Sequence, residues 1–353
     1  MSVHVVDGTR PSRRHHASRV PPRFDLALSE NPFPPLTSVL RAVQMTLAQA
    51  NRYPEFSPQR LPLLIARHLG VRADQVVVGS GATGVALQIL QTLTTPGAEI
   101  VYSAPTFDGY PIMAEMTGVT AVPVPLDAAG NQDLRAMRRA VDRRTALIVV
   151  CRPHNPTGTV VPADELKAFL SDVPSRVPVV LDEAYVEFLG ATEYADPRAL
   201  IAKHSNLIVL RTFSKAYGLA GLRIGYAFGR TELIARIGKL QLPFGVSAAA
   251  VAAVAASYAA EPELAARILR ITEARDALRG ALLARGYAIP ESHANFLYIP
   301  GPGATTALRR AGIAAKYYAD GSARIAVGDP SSDHAVLGAL TADGSGAAHG
   351  SFV

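Results

Sequence analysis

Lysine is scarce in this 353-residue chain: Lys167, Lys203, Lys215, Lys239 and Lys316 stand against thirty arginines. Lys215 lies in the segment Thr212-Phe213-Ser214-Lys215-Ala216-Tyr217-Gly218, a polar, glycine-spaced turn between two apolar runs. Arginine keeps its charge, so a position that needs an amine able to shed a proton has to use lysine. Attack on a carbonyl to form a Schiff base makes that demand. The hydroxyls of Thr212 and Ser214, and Arg223 eight residues after the lysine, add groups that bind anions.

Three further stretches carry chemistry. Val76-Val77-Val78-Gly79-Ser80-Gly81-Ala82-Thr83-Gly84 reads as a strand, a glycine turn and the start of a helix. Such a turn offers the backbone N–H groups of Ala82 and Thr83 as a phosphate cradle. It also spells G-x-G-x-x-G, but a dinucleotide site needs an acid at the end of the following strand, and Glu99 precedes its strand. Val179-Val180-Leu181-Asp182 sets a carboxylate at the end of a buried strand. Leaving it there unpaired costs several kcal/mol, so a cation has to face it. Arg152-Pro153-His154-Asn155-Pro156-Thr157-Gly158 follows another apolar run, and the Asn-Pro pair by itself marks a loop.

In this order, these motifs resemble the fold type I, class I and II aminotransferases, which bind pyridoxal 5′-phosphate (PLP), over roughly residues 28–330. The resemblance implies a PLP-dependent transaminase with Lys215 as the Schiff-base lysine. It makes Asp182 the partner of the pyridine nitrogen, and Asn155 and Tyr185 the partners of the ring hydroxyl. Phe107, in Ala104-Pro105-Thr106-Phe107, would stack on the ring. Ala82, Thr83, Thr212, Ser214 and Arg223 would hold the phosphate. Tyr53, in Asn51-Arg52-Tyr53-Pro54, would reach the cofactor of a neighbouring subunit, so the resemblance implies a homodimer with shared active sites. Asn31, in Glu30-Asn31-Pro32, and Arg324, in Ala323-Arg324-Ile325-Ala326-Val327-Gly328, fall at substrate positions. Arg152 and His154 stand where the family usually has asparagines.

The resemblance points to the histidinol-phosphate and aromatic aminotransferase branch. There Lys316 occupies a position that commonly carries an arginine for the substrate's distal anion. Lysine keeps the charge and loses the bidentate fork. The reading therefore leans to an aromatic amino acid, with a 2-oxo acid such as 2-oxoglutarate as acceptor and histidinol phosphate as the alternative donor. A PLP-dependent decarboxylase or lyase shares the fold and the lysine, and stays open as a different class. A PLP-binding transcription regulator would need a DNA-binding domain ahead of residue 25, and the short arm there cannot hold one.

Elements that could position these residues follow from the apolar pattern. Runs at Val76–Val78, Ile100–Tyr102, Ala121–Val124, Leu147–Val150, Val179–Leu181, Leu207–Leu210 and Ile224–Phe228 read as strands. Between several of them lie helical patterns, such as Val85–Leu93 and Asp164–Leu170. Strands separated by helices predict an α/β fold: a mostly parallel sheet with helices on both faces, with a smaller α+β domain after it. The expected division is an N-terminal arm (1–24), a large PLP-binding domain (25–245) whose N-terminal segment contributes to the small domain, a small domain (246–340) and a flexible tail (341–353). Ser247–Ala260 is too short and too weakly apolar to span a bilayer and reads as a packed helix. Glu263–Arg285 reads as a long amphipathic helix.

Net charge is +6, spread along the chain apart from the basic run Arg10 to Arg23, so no nucleic-acid partner is expected. An anionic cofactor and anionic substrates suit a mildly basic protein. One cysteine, Cys151, rules out an internal disulfide and fits the cytoplasm, and its expected role is a small buried hydrophobe. Nine histidines without ligand spacing predict no metal site.

Overall fold

The structure, a computed structural model, describes residues 22–342. The basic run up to Arg19 and the tail beyond residue 342 lie outside the described residues. The chain first forms β1 (Phe24–Asp25), then β2 (Val76–Ser80), β3 (Glu99–Ala104), β4 (Thr120–Pro125), β5 (Thr145–Cys151), β6 (Val179–Asp182), β7 (Leu207–Thr212) and β8 (Ile224–Gly229). Strands β2 to β8 build one sheet in the order β2-β8-β7-β6-β5-β3-β4. All neighbours are parallel except β8, which runs antiparallel to both β2 and β7.

Side chains alternate between the two faces of each strand. Val78, Val101, Ile148, Val150, Leu181 and Val209 face one apolar cluster, shared with the helices Arg60–Leu69, Ala163–Asp172 and Ala248–Ala259. Val77, Ile100, Val149, Val180 and Leu210 face the other, with the helices Gly81–Leu93, Gly109–Thr117 and Thr231–Gly238. Burying both faces explains why these strands read as continuous apolar runs. Each fully buried valine, leucine or isoleucine contributes about 1.5–3 kcal/mol of burial.

The alanine-rich segment is a packed helix, Ala248–Ala259, capped by Ser247, whose side chain accepts from the Ala250 N–H. No described helix is long and apolar enough to cross a membrane. The long helix runs Glu261–Leu283, two residues earlier than the periodicity predicts, with Pro262 in its first turn.

After it come β9 (Phe296–Ile299), β10 (Ile313–Ala314), β11 (Lys316–Tyr317) and β12 (Ala323–Ala326). Strands β11, β12 and β9 form an antiparallel sheet. The N-terminal β1 pairs with β10, so the start of the described chain is stitched to its last third. A third apolar cluster (Phe296, Leu297, Ile325, Leu308 and Val336 among others) packs beneath this part and takes in Tyr185 and Ala216 from the loops of the large sheet.

Candidate active site

Every parallel strand of the large sheet delivers its last residues to the same edge, and so does the start of the antiparallel β8. The turns after β3, β5, β6 and β7 therefore converge with the N-terminus of the helix after β2. They line a cavity of about 820 Å³, closed on its far side by β11 and β12. Ala82, Thr83, Phe107, Asn155, Asp182, Tyr185, Thr212, Ser214, Lys215, Arg223, Lys316 and Arg324 all border it.

Lys215 is partly buried, and its Nζ donates to Ser29 Oγ (2.9 Å) and to the carbonyls of Leu28 (3.1 Å) and Ser29 (3.2 Å). Ser29 Oγ also meets the Tyr185 hydroxyl at 3.1 Å. Asp182 ends β6 and is buried. Its carboxylate accepts from the Tyr110 hydroxyl (2.5 Å) and from the Ala184 N–H (3.1 Å). Burial pushes its carboxyl above the ordinary range, against the pull of those two donors. No cationic side chain is among its hydrogen-bond partners, so a cationic ligand in the cavity would relieve it.

The helix Gly81–Leu93 opens with N–H groups that no earlier turn can accept, and no side chain caps them. Gly81 has φ +73, and a Cβ there would lie 2.3 Å from Arg223 Nη2. A Cβ on Gly225 would lie 2.1 Å from the Ala82 nitrogen. Two glycines thus bring the guanidinium and the helix N-terminus together. The Thr212 and Ser214 hydroxyls meet at 3.0 Å beside them. Backbone N–H groups, two hydroxyls and an arginine make a built anion cradle.

Arg324 on β12 is buried. Its Nη1 donates to Asn155 Oδ1 (2.7 Å) and its Nη2 to the Ala27 carbonyl (2.6 Å), while its Nε is buried without a partner. Lys316 is its register partner on β11 and contacts the Asp108 carboxylate.

Two of the expected site residues stand apart from the cavity lining. Tyr53 is 84% exposed and meets the Phe244 ring at a tilt, 4.8 Å between centroids, and Phe56 meets Phe244 edge-on. Asn31 donates to the carbonyls of Lys215 and Ala216, holding the lysine turn from behind. Arg152 and His154 are both fully buried. Arg152 bonds the carbonyls of Val161 and Glu193. His154 bonds Thr157 (2.8 Å) and Ser103 (3.2 Å), and burial lowers its pKa to about 3. Glu99 opens β3 and pairs with Arg144 at 2.9 Å, at the end of the strand remote from the cavity. Cys151 is buried, as expected for a small hydrophobe, and the residue also borders the cavity.

Tyr110, Ser29 and Asp108 carry no motif of their own. Tyr110 had one weak signal, an aromatic three residues after Phe107, one helical turn along.

The profile of the family described as "Aminotransferase class I and II" matches residues 21–340. The chain belongs to the class I and II aminotransferases. This aminotransferase is 41% identical over 317 residues to the aromatic amino acid aminotransferase of Streptomyces avermitilis, covering 89% of this chain and 88% of that protein. It is 42% identical over 328 residues to that of Rhodococcus opacus, covering 91% and 90%. The crystal structure of histidinol-phosphate aminotransferase from Sinorhizobium meliloti in complex with pyridoxal-5′-phosphate superposes with a TM-score of 0.85 at 28% identity, covering 93% of this aminotransferase and 92% of that chain.

Proposed function

We propose that this aminotransferase transfers the amino group of an aromatic amino acid to a 2-oxo acid such as 2-oxoglutarate, with PLP held in the cavity around Lys215. The names of the Streptomyces and Rhodococcus relatives support the donor class. The observation that carries it is the far wall of the cavity. Tyr317 and Tyr318 line it, and its one lysine, Lys316, is already engaged by Asp108. A flat uncharged side chain suits that wall.

The residues present fit PLP. The cradle of Ala82, Thr83, Thr212, Ser214 and Arg223 suits its phosphate, and Asp182, short of a cation, suits its protonated ring nitrogen. Asn155 and Tyr185 are the partners we assign to its ring hydroxyl, and Phe107 to its face. When bound, PLP supplies an electron sink conjugated with the donor's Cα. Asp182 stabilises positive charge at the ring nitrogen. Arg324, whose buried Nε has no protein partner, grips the donor's α-carboxylate and fixes its orientation. Lys215 Nζ takes the proton from Cα as general base and then returns a proton as general acid. Ser29 and the Leu28 carbonyl keep that amine aimed into the cavity.

The proposal extends to a homodimer. The exposed apolar cluster of Tyr53, Phe56 and Phe244, with Met45, Leu47 and Leu242 also exposed, supports burial against a second copy. In that dimer Tyr53 reaches the partner's cofactor phosphate. A reducing compartment, the cytoplasm, is in keeping with the single free, buried Cys151.

The test is a donor screen of the purified holoenzyme with 2-oxoglutarate, comparing phenylalanine, tyrosine and histidinol phosphate, with borohydride trapping to locate the modified lysine. Trapping at Lys215 and a preference for the aromatic donors are expected. A strong preference for histidinol phosphate would replace the donor assignment. Carbon dioxide released without any need for an acceptor would make the enzyme a decarboxylase.

A further inference from the structure

Asp108 is the residue just before the helix Gly109–Thr117, where an aspartate ordinarily turns back to cap the first N–H groups. Its side chain makes no cap bond. The carboxylate reaches across the cavity mouth and accepts from Lys316 Nζ, 208 residues further along the chain.

Lys316 and Arg324 are register partners on β11 and β12, so their side chains leave the same face of the sheet. Both border the cavity. With Arg324 on the α-carboxylate, Lys316 is the cation further out, where a substrate's side chain ends. Beside it lies the Tyr318 ring, 5.8 Å from Lys316 Nζ. Arg309 borders the same end but stacks on Tyr317, with 4.4 Å from its guanidinium carbon to the ring centroid.

We infer that Asp108 is a specificity residue: as the internal counter-ion of Lys316, it disfavours any substrate with a second anion and favours an uncharged, flat side chain. The inference rests on the donor assignment proposed above. A distal phosphate or carboxylate has to displace Asp108 from Lys316 or sit beside a like charge. An aromatic ring does neither. It lies on Tyr318 and on the aliphatic stem of Lys316 while the ion pair stays closed. The anionic acceptor meets the same obstacle, so 2-oxoglutarate binds this site more weakly than Lys316 alone would allow.

The test is calorimetric binding of two unreactive probes to the holoenzyme, glutarate with two carboxylates and 3-phenylpropanoate with one. Wild type, Asp108→Asn, Lys316→Met and the double variant are compared, with Asp108→Ala as a second removal of the carboxylate. The glutarate-to-phenylpropanoate affinity ratio should rise about tenfold in both Asp108 variants, and the rise should vanish when Lys316→Met is added. The KM for 2-oxoglutarate should fall in parallel. An unchanged ratio, or a rise that persists without Lys316, overturns the inference. Failure of the donor assignment reads out separately, as a wild-type preference for histidinol phosphate in turnover.

Discussion

Replacing Arg324 with lysine keeps the charge and removes the fork. In the structure the guanidinium makes two bonds to the protein, to Asn155 Oδ1 and to the Ala27 carbonyl, and keeps its buried Nε unpartnered. A lysine ammonium is a single nitrogen. It cannot hold Asn155 and Ala27 and also present two parallel donors to a carboxylate. A hydrogen bond to a charged group is worth about 1.5–3 kcal/mol. Losing one arm of the fork then lowers kcat/KM by about 10- to 150-fold, at tenfold per 1.36 kcal/mol. The expected pattern for Arg324→Lys is a raised KM for phenylalanine and a lower kcat/KM, with PLP retention changed far less. Steady-state kinetics at saturating PLP, together with cofactor loss on dialysis, reads both. A kcat/KM within about threefold of wild type would refute the carboxylate role. A loss of PLP that parallels the loss of kcat/KM would instead make Arg324 a support of Asn155 and the cofactor.

Asp182→Ala should slow the half-reaction with phenylalanine by about 100-fold or more while PLP still loads, and equal single-turnover rates in variant and wild type would sink that role. Gly81→Ala forces a side chain into a φ of +73 and against Arg223, whereas Gly97→Ala has a similar φ of +83 and nothing within 4 Å. Both should lose about 1–2 kcal/mol of stability from the backbone, but only Gly81→Ala should weaken PLP retention, measured by dialysis; equal retention in the two would show that the cradle does not depend on this approach. His154 has its folded pKa lowered to about 3 by burial. The stability it contributes is therefore present above its unfolded value near 6.5 and is lost as pH falls from there toward 3, by about 1.4 kcal/mol per unit. His154→Asn should melt with a shallower acid dependence across that window; parallel Tm–pH curves would contradict the assignment.

The residues most legible in the sequence are those that end a buried strand. An apolar run that stops on Asp182, or passes through Thr212 to a rare lysine at 215, announces the strand and marks the residue at its end as one that borders the cavity. The same logic exposes Asn155 after β5 and the glycine turn after β2. Boundaries blurred where chemistry and periodicity disagree: the long helix starts at Glu261 because Pro262 suits a first turn, not because the apolar spacing begins there. The residues that escape notice work through contacts made only by the folded chain. Tyr110 reaches Asp182 from the helix after β3, although β5 separates β3 from β6 in the sheet. Asn31, placed by its motif among the substrate residues, is tied by its side chain to two carbonyls of the lysine turn, a contact the motif does not display. A sequence can display a cation without displaying its counter-ion. In the sequence Lys316 points to an aromatic donor through its missing fork alone; the fold adds Asp108 against it, and by our inference that contact strengthens the same preference.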